Sequence, residues 1–242
     1  MMDSRSLWRT FRARGTEWRD HDLLTEAFMR QHPPGAHSTF VTGTIDEPPD
    51  EVQPWSLWIE LPDNIRVEFE GGHEHTTAVF RGTTWWSVSP SSPPITNDGN
   101  PRSGHGMGPG YPLTDPRRLV VALDLEPHKG STFAGRSVVH VSATPFDHSR
   151  ADVMEQLAFD DAASGLGTGA DRYELVVDTE RGVVLRSEAQ LEGSPFLIIE
   201  IQDVGFDEPF PNDTFTLEAP PGQTFKNSSE LFGWRDELED DP

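Results

Sequence analysis

The chain of 242 residues carries 41 acidic against 19 basic residues, which gives a formal net charge of −22. A protein of that charge repels nucleic acids and anionic lipid head groups, so the composition argues against binding DNA, RNA or a membrane surface by charge. The chain contains no cysteine, which excludes disulfides, thiolate zinc sites and cysteine nucleophiles. Seven Trp and fourteen Phe supply much of the apolar surface, so we expect a core of few, large side chains.

Neither a secretory signal nor a membrane-spanning helix is expected from the sequence. Residues 1–18 lack the apolar run of about 7 to 15 residues that a signal sequence needs. No window of about 18 apolar residues occurs in the chain. As written, the protein is therefore expected in the cytoplasm, whereas a translation start further upstream would make it extracytoplasmic.

The first elements along the chain are predicted to be a helical segment and a strand. Apolar residues recur at helical spacing across residues 4–31, and Pro33-Pro34 end that pattern. Residues 37–45 are rich in β-branched side chains, which predicts a strand.

Residues 55–89 predict a meander of short antiparallel strands. In the clearest run, Ile65, Val67 and Phe69 alternate with charged residues, the period of two that is typical of a strand with one buried face. Tight turns such as Gly71-Gly72 separate the runs, and connections this short require antiparallel neighbours.

A loop and two helices are predicted after the meander. Residues 90–112 are rich in Pro, Gly, Ser and Asn, which predicts a long, mobile loop. The sequence Thr114-Asp115-Pro116 is a helix-start signal and predicts a helix over residues 115–125. The buried stripe of that helix is Leu119, Val120 and Leu123. A short helix is also predicted over residues 151–159.

The last strands are predicted in residues 171–217. Two long strand patterns joined by a glycine turn indicate the closing hairpin of a large antiparallel sheet. Neither an internal repeat nor a domain boundary is evident. Residues 1–222 are therefore expected to form one domain, and residues 223–242 an acidic C-terminal tail.

The order of these motifs resembles that of a known family. The motifs are Leu57-Trp58, Pro62, Arg66-Val67-Glu68, Gly82 with Trp85-Trp86 and Pro90, Leu113-Thr114-Asp115-Pro116, and Pro211, Phe215, Pro220 and Gly222. Together they resemble the LolA-like family of outer-membrane lipoprotein carriers and lipid-binding half-barrels, most closely its actinobacterial branch. The resemblance covers roughly residues 20–222.

The resemblance implies a mainly β (α+β) fold, a single curved antiparallel sheet that forms an incomplete β-barrel. About three helices would lie on its concave side as a plug or lid. It also implies a binding protein without enzymatic activity, which holds a lipid or acylated ligand in an apolar cavity. The alternative is a protein-interaction or regulatory module of the same fold, like the sigma-factor regulators, with a protein partner and no lipid cargo.

Strand alternation gives the candidate ligand-binding residues on the concave face: Trp58, Phe69, Phe80, Trp86, Leu197 and Ile199. The resemblance adds Arg66 as a hydrogen-bond donor to a lid. That lid is expected from the 115–125 helix, with Leu119, Val120 and Leu123, and from the 90–112 loop. Two alternatives stay open, ordinary core packing for the tryptophans and a pairing of Arg66 with Glu68.

No cofactor and no catalytic centre are expected. His73 and His75 have the spacing of two metal ligands on a strand, but no third ligand is indicated nearby. The chain has neither a phosphate-binding glycine motif nor a Gly-x-Ser-x-Gly nucleophile motif.

Overall fold

The computed structural model describes residues 7–31, 52–71, 74–97, 107–108, 110–116, 119, 123–146, 165–228 and 230. In chain order the elements are β1 (Thr10–Arg19), α1 (His21–Gln31), β2 (Val52–Glu60), β3 (Asn64–Gly71), β4 (Glu74–Arg81), β5 (Thr84–Ser89), β6 (Ser92–Thr96), a 3-10 turn (Tyr111–Thr114), β7 (Leu123–Phe133), β8 (Arg136–Pro145), β9 (Arg172–Asp178), β10 (Val184–Leu191), β11 (Ser194–Phe206) and β12 (Lys226–Asn227).

All twelve strands belong to one sheet, in the order β12-β6-β5-β4-β3-β2-β1-β11-β10-β9-β8-β7. The sheet is curved and does not close into a barrel. Neighbouring strands are antiparallel except β12, which pairs in parallel with β6. The predicted fold class, one large antiparallel sheet, is therefore confirmed, with a single parallel pair at one edge.

The alternation that predicted β3 is also what fixes the two faces of the sheet. Ile65 and Val67 are buried, while Arg66 and Glu68 on the opposite face are only half-buried. Val67 lies opposite Leu57 on β2 in the strand register, and both side chains are fully buried. Because successive side chains point to opposite faces, every strand of the meander adds to the same apolar surface.

β1 corrects the prediction of a helical N-terminal segment. Residues 10–19 form a strand between β2 and β11, and only residues 21–31 are helical. The spacing of Trp8 and Phe11 fits a helix as well as a strand end, and pairing with two distant strands decides between them. β1 thereby joins the meander β2–β6 to the strands β7–β11.

About three helices were expected, and one α-helix, α1, is described over its whole length, together with one 3-10 turn. Leu119, Ser228 and Glu230 are further described residues in helical conformation. Asp20 begins α1, since its Oδ1 accepts a hydrogen bond of 3.0 Å from the backbone N–H of Leu23. None of the described helices has the length and apolar character that crossing a membrane would require.

Two further predictions differ from the structure, and two fall outside it. The predicted helix over 115–125 is wrong at its end, because Leu123 is already paired with Pro145 at the start of β7. The predicted loop 90–112 contains β6, whose register with β5 includes the Ser87–Ile95 pair. The strand predicted over 37–45 and the helix predicted over 151–159 lie outside the described residues.

We define the inner face of the sheet as the face that carries Trp55, Leu57, Val67 and Phe80, and the outer face as its opposite. Three chain segments cover the inner face: α1, residues 165–170, and residues 107–116. We call this last segment, of which 107, 108 and 110–116 are described, the strap.

Residues 165–170 are held on the inner face by a buried tyrosine and by close backbone contact. The hydroxyl of Tyr173 donates a hydrogen bond of 2.8 Å to the carbonyl of Gly167, and burial raises the pKa of that hydroxyl above its usual value. Gly169 lies against α1, because a Cβ built on it would be 1.9 Å from the carbonyl oxygen of Ala27. The segment therefore ties α1 to the far half of the sheet.

The chain after β11 crosses the outer face of the meander. Arg12 Nε donates to Glu208 Oε2 at 3.3 Å near the start of this crossing, and β12 ends it by pairing with β6. Because β12 lies beyond Gly222, the sheet extends into the region that the sequence assigned to the acidic tail.

Candidate functional site

Four of the predicted ligand-binding residues share the inner face. Phe80 lies opposite Ile65 in the register of β3 and β4, and Phe69 follows on the same face of β3. On β11, Leu197 and Ile199 are buried on the inner face, where Ile199 lies opposite Glu17 of β1. These four residues occupy one continuous surface, although β1 separates the two pairs.

Three residues that were predicted on the concave face lie on the outer face instead: Trp58, Arg66 and Trp86. Trp58 lies opposite Arg66, and Trp86 lies opposite Val79. The buried tryptophans of these strands are instead Trp55 and Trp85. An offset of one residue exchanges the two faces of a strand, and adjacent apolar residues such as Trp85-Trp86 do not indicate which is inside.

Arg66 holds the C-terminal crossing segment rather than a lid on the inner face. Its Nε donates to Glu68 Oε1 at 2.7 Å, so the alternative pairing with Glu68 is confirmed. Its Nη1 also donates to the carbonyl oxygens of Thr214 and Thr216, both at 3.2 Å. These contacts fix the crossing segment on the outer face.

The predicted lid residues are only partly described. Leu119 is buried, and Leu123 is buried at the first position of β7, while Val120 lies outside the described residues. The described cover of the inner face is the strap, whose residues 107–112 belong to the loop that was predicted as part of the lid.

The strap approaches the sheet through glycines. A Cβ built on Gly108 would lie 2.3 Å from a methyl carbon of Val67, and one built on Gly110 would lie 2.4 Å from the ring of Trp55. At these distances only a residue without a side chain fits. Leu113, at the end of the strap, is fully buried and is its main apolar anchor among the described residues.

A cavity of about 100 Å³ lies beneath one end of the strap. Met107 and Tyr111 of the strap form one wall, and Ile59, Ile65 and Phe80 of the sheet form the other. Pockets that hold small molecules usually measure about 300 to 1,000 Å³. A long-chain ligand therefore fits here only if the strap moves away from the sheet.

Three buried side chains on the inner face, Glu17, Trp55 and Ser187, are not among the predicted ligand-binding residues. Trp55 Nε1 and Ser187 Oγ have no hydrogen-bond partner in the structure, while Glu17 Oε1 forms an ion pair with Arg19. Burial raises the pKa of Glu17, and the neighbouring guanidinium of Arg19 opposes that shift. Had residues 10–19 been recognised as a strand, Glu17 would have fallen on the same face as Phe11 and Ala13.

The described residues contain no group of three His, Asp or Glu side chains arranged to hold a metal ion. His75 Nδ1 lies 3.5 Å from Glu70 Oε1, while His73 is outside the described residues.

One serine–histidine pair resembles part of a catalytic triad in its residue types but not in the arrangement of its hydrogen bonds. His128 Nε2 lies 2.8 Å from Ser142 Oγ, on neighbouring strands β7 and β8. The carboxylate of Glu174 accepts from Ser142 at 2.8 Å, so it contacts the serine rather than the histidine. In a triad the carboxylate orients the histidine, so this pair lacks the arrangement that activates a serine.

Comparison with known proteins bears on the fold. No protein-family model matches the chain, and no curated protein matches it. A solved structure of an uncharacterized conserved protein from Thermus thermophilus is similar over 91% of both chains, with a TM-score of 0.50 and 10% identity. A LolA superfamily protein from Nitrosomonas europaea is similar over 90% of this chain and 99% of its own, with a TM-score of 0.33 and 9% identity. The match to the Thermus thermophilus protein concerns the fold alone.

The MucA/MucB complex of Pseudomonas aeruginosa also matches, at a TM-score of 0.46 and 14% identity. The match covers 89% of this chain, which spans only 58% of the length of the matched chain. At these identities the similarities show no ligand or partner of this chain.

Proposed function

We propose that this protein holds a hydrophobic ligand with an acyl chain between the strap and the inner face, without catalysing a reaction. The observation that carries the proposal is the glycine contact of Gly108 and Gly110 with Val67 and Trp55. At these two positions the backbone of the strap lies directly on the sheet, so the side chains of Val67 and Trp55 form the apolar surface beneath it.

The strap is suited to moving because it takes no part in the sheet. Its described backbone hydrogen bonds are local, from Tyr111 N–H to the Gly108 carbonyl and from Leu113 N–H to the Gly110 carbonyl, both at 3.3 Å. Lifting the strap therefore breaks none of the ladder between strands. An acyl chain in its place gains about 0.8 kcal/mol for each CH₂ removed from water.

The cavity beside Phe80 gives the first test of this proposal. Replacing Ile65 with tryptophan fills a cavity of about 100 Å³ and should weaken binding of the apolar dye N-phenyl-1-naphthylamine about fivefold or more. Dye fluorescence, titrated with protein, measures the dissociation constant.

Glu70→Trp is the matched control, because it adds a tryptophan to the same strand at an exposed position. It should leave dye binding within about twofold of the unmodified protein, since it lies away from the inner face. Equal losses in the two variants would show that the dye binds elsewhere. Native mass spectrometry of protein purified from its source organism would then identify a co-purifying acylated ligand.

The edge strand β7 supports a second candidate function, binding of an extended segment of a partner protein. Residues 124–132 are all exposed, and β7 pairs with β8 alone among the described strands. An unpaired strand edge offers backbone N–H and C=O groups that another chain can bind by adding a strand.

A photo-crosslinking residue at Ser131 would test this second function in cell extract. The partner hypothesis expects a single crosslinked species from Ser131 and none from Gln202, an exposed control position on β11. Removing Lys129 or Glu126 should leave this crosslink in place, because backbone hydrogen bonds would carry the binding. Identical adduct patterns at both positions would rule out a specific partner at this edge.

A further inference from the structure

The buried polar atoms of the inner face form a cluster within the proposed ligand site. The side chains of Ser187, Trp55 and Glu17 are 1%, 2% and 3% exposed. Ser187 Oγ and Trp55 Nε1 have no hydrogen-bond partner, and Glu17 Oε1 has only its ion pair with Arg19. Buried polar groups are almost always hydrogen-bonded, because an unpaired one costs the free energy of its lost hydration. Two unpaired groups and a buried carboxylate on one face therefore require an explanation.

The strand register brings the three side chains close together. Ile199 lies opposite Glu17 on one side and opposite Ser187 on the other, so Glu17 and Ser187 are two strands apart on the same face. That separation is about 10 Å between backbones. Trp55 lies opposite Gly15, which is two residues, or about 7 Å, from Glu17 along β1.

The orientation of Trp55 turns its N–H toward this cluster. A Cβ built on Gly15 would lie 2.8 Å from Cε2 of Trp55, the ring atom bonded to Nε1. The opposite edge of the ring faces Gly110 of the strap, where a built Cβ would lie 2.4 Å from Cζ3. Moving the strap would therefore uncover Trp55 from above while leaving its N–H beside β1.

The charge of the cluster is balanced. The guanidinium of Arg19 forms an ion pair with Glu17 Oε1. A carboxylate beside a guanidinium presents no net charge to a ligand, and it still offers an acceptor. Trp55 offers a donor, and the hydroxyl of Ser187 offers both.

We infer that Glu17, Trp55 and Ser187 bind the uncharged, hydrogen-bonding head of the ligand whose acyl chain lies under the strap. The inference rests on the proposed function. A head with several hydroxyl or amide groups donates to Glu17 Oε1 and accepts from Trp55 Nε1 and Ser187 Oγ, as a glycerol ester would. The acyl chain then runs along Leu57 toward the cavity at Ile59, about 20 Å from the register position of Glu17.

Competition against bound N-phenyl-1-naphthylamine tests this inference with three molecules of equal chain length. Monolauroylglycerol has an uncharged donor head, methyl laurate has acceptors only, and laurate carries a charge. We expect monolauroylglycerol to displace the dye at a concentration about fivefold lower than either of the others. In Ser187→Ala and Glu17→Leu that advantage should fall to within about twofold, once each inhibition constant is corrected for the variant's own dissociation constant for the dye.

Ser87→Ala is the matched control, since Ser87 is a buried serine of β5 on the same face, away from the cluster. It should keep the full preference for monolauroylglycerol. Equal displacement by all three competitors would overturn the inference and leave water as the partner of the buried atoms, while the proposed function would stand. A preference unchanged in Ser187→Ala and Glu17→Leu would also overturn it. Failure of the dye to bind would overturn both.

Discussion

Replacing Asp178 with alanine is expected to lower the free energy of unfolding by about 3 kcal/mol or more. The carboxylate is fully buried and forms an ion pair with Arg136. Its Oδ1 also accepts hydrogen bonds from the backbone N–H groups of Glu180 and Arg181, at 2.8 and 2.7 Å. Alanine would leave two N–H groups and a guanidinium without their acceptor at the turn between β9 and β10.

Urea unfolding followed by tryptophan fluorescence measures this loss. Asp178→Asn should cost less than alanine, because the amide oxygen can still accept from the turn. Glu180→Ala is the matched control, since the Glu180 side chain is 71% exposed and lies 3.6 Å from the same arginine. It should change stability by less than about 1 kcal/mol. A loss in Asp178→Ala as small as that of the control would refute the structural role of the carboxylate.

Replacing Leu113 with alanine is expected to strengthen binding of N-phenyl-1-naphthylamine roughly 30-fold or more. Truncating a buried leucine costs about 2 to 5 kcal/mol. Leu113 is fully buried and belongs to the strap. Its truncation therefore destabilises the conformation in which the strap covers the inner face, relative to the conformation in which the strap has moved away. If the ligand binds only where the strap has moved, its apparent affinity rises with the fraction of molecules in the uncovered state.

The dissociation constant of the dye measures this effect, with urea unfolding as a second measurement. Val138→Ala is the control, because Val138 is buried on β8 beside Asp178, away from the strap. It should destabilise the fold without strengthening dye binding. Weaker binding in Leu113→Ala would mean that the strap forms part of the binding surface rather than its cover.

The sequence predicted the sheet well where alternation is regular. In β3 the charged residues between Ile65, Val67 and Phe69 leave one choice of inner face, and the structure confirms it. The prediction failed for Trp86 because each face of β5 carries a tryptophan. It failed for Trp58 because it went against the alternation of Trp55, Leu57 and Ile59, which share the inner face of β2. Only the register with neighbouring strands decides between Trp85 and Trp86.

β1 was missed for a different reason. Its partners lie far along the chain, and Glu17 lies opposite both Gln53 and Ile199. Local spacing contains no information about such pairing, so a helix fitted residues 4–31 equally well. The polar cluster was missed with it, since Glu17 joins Trp55 and Ser187 only once β1 is placed in the centre of the sheet.

The central place of β1 has a consequence for how the protein is made. β1 leaves the ribosome before the other described strands of the sheet. β2 follows within a few tens of residues, but the other partner of β1, the strand β11, ends only at Phe206. One edge of β1 therefore stays open through most of synthesis, with Phe11 and Ala13 exposed beside it. Pairings over such a separation form slowly, and open strand edges are where nascent chains associate wrongly. Correct folding of β1 therefore depends on β11, which emerges late in synthesis.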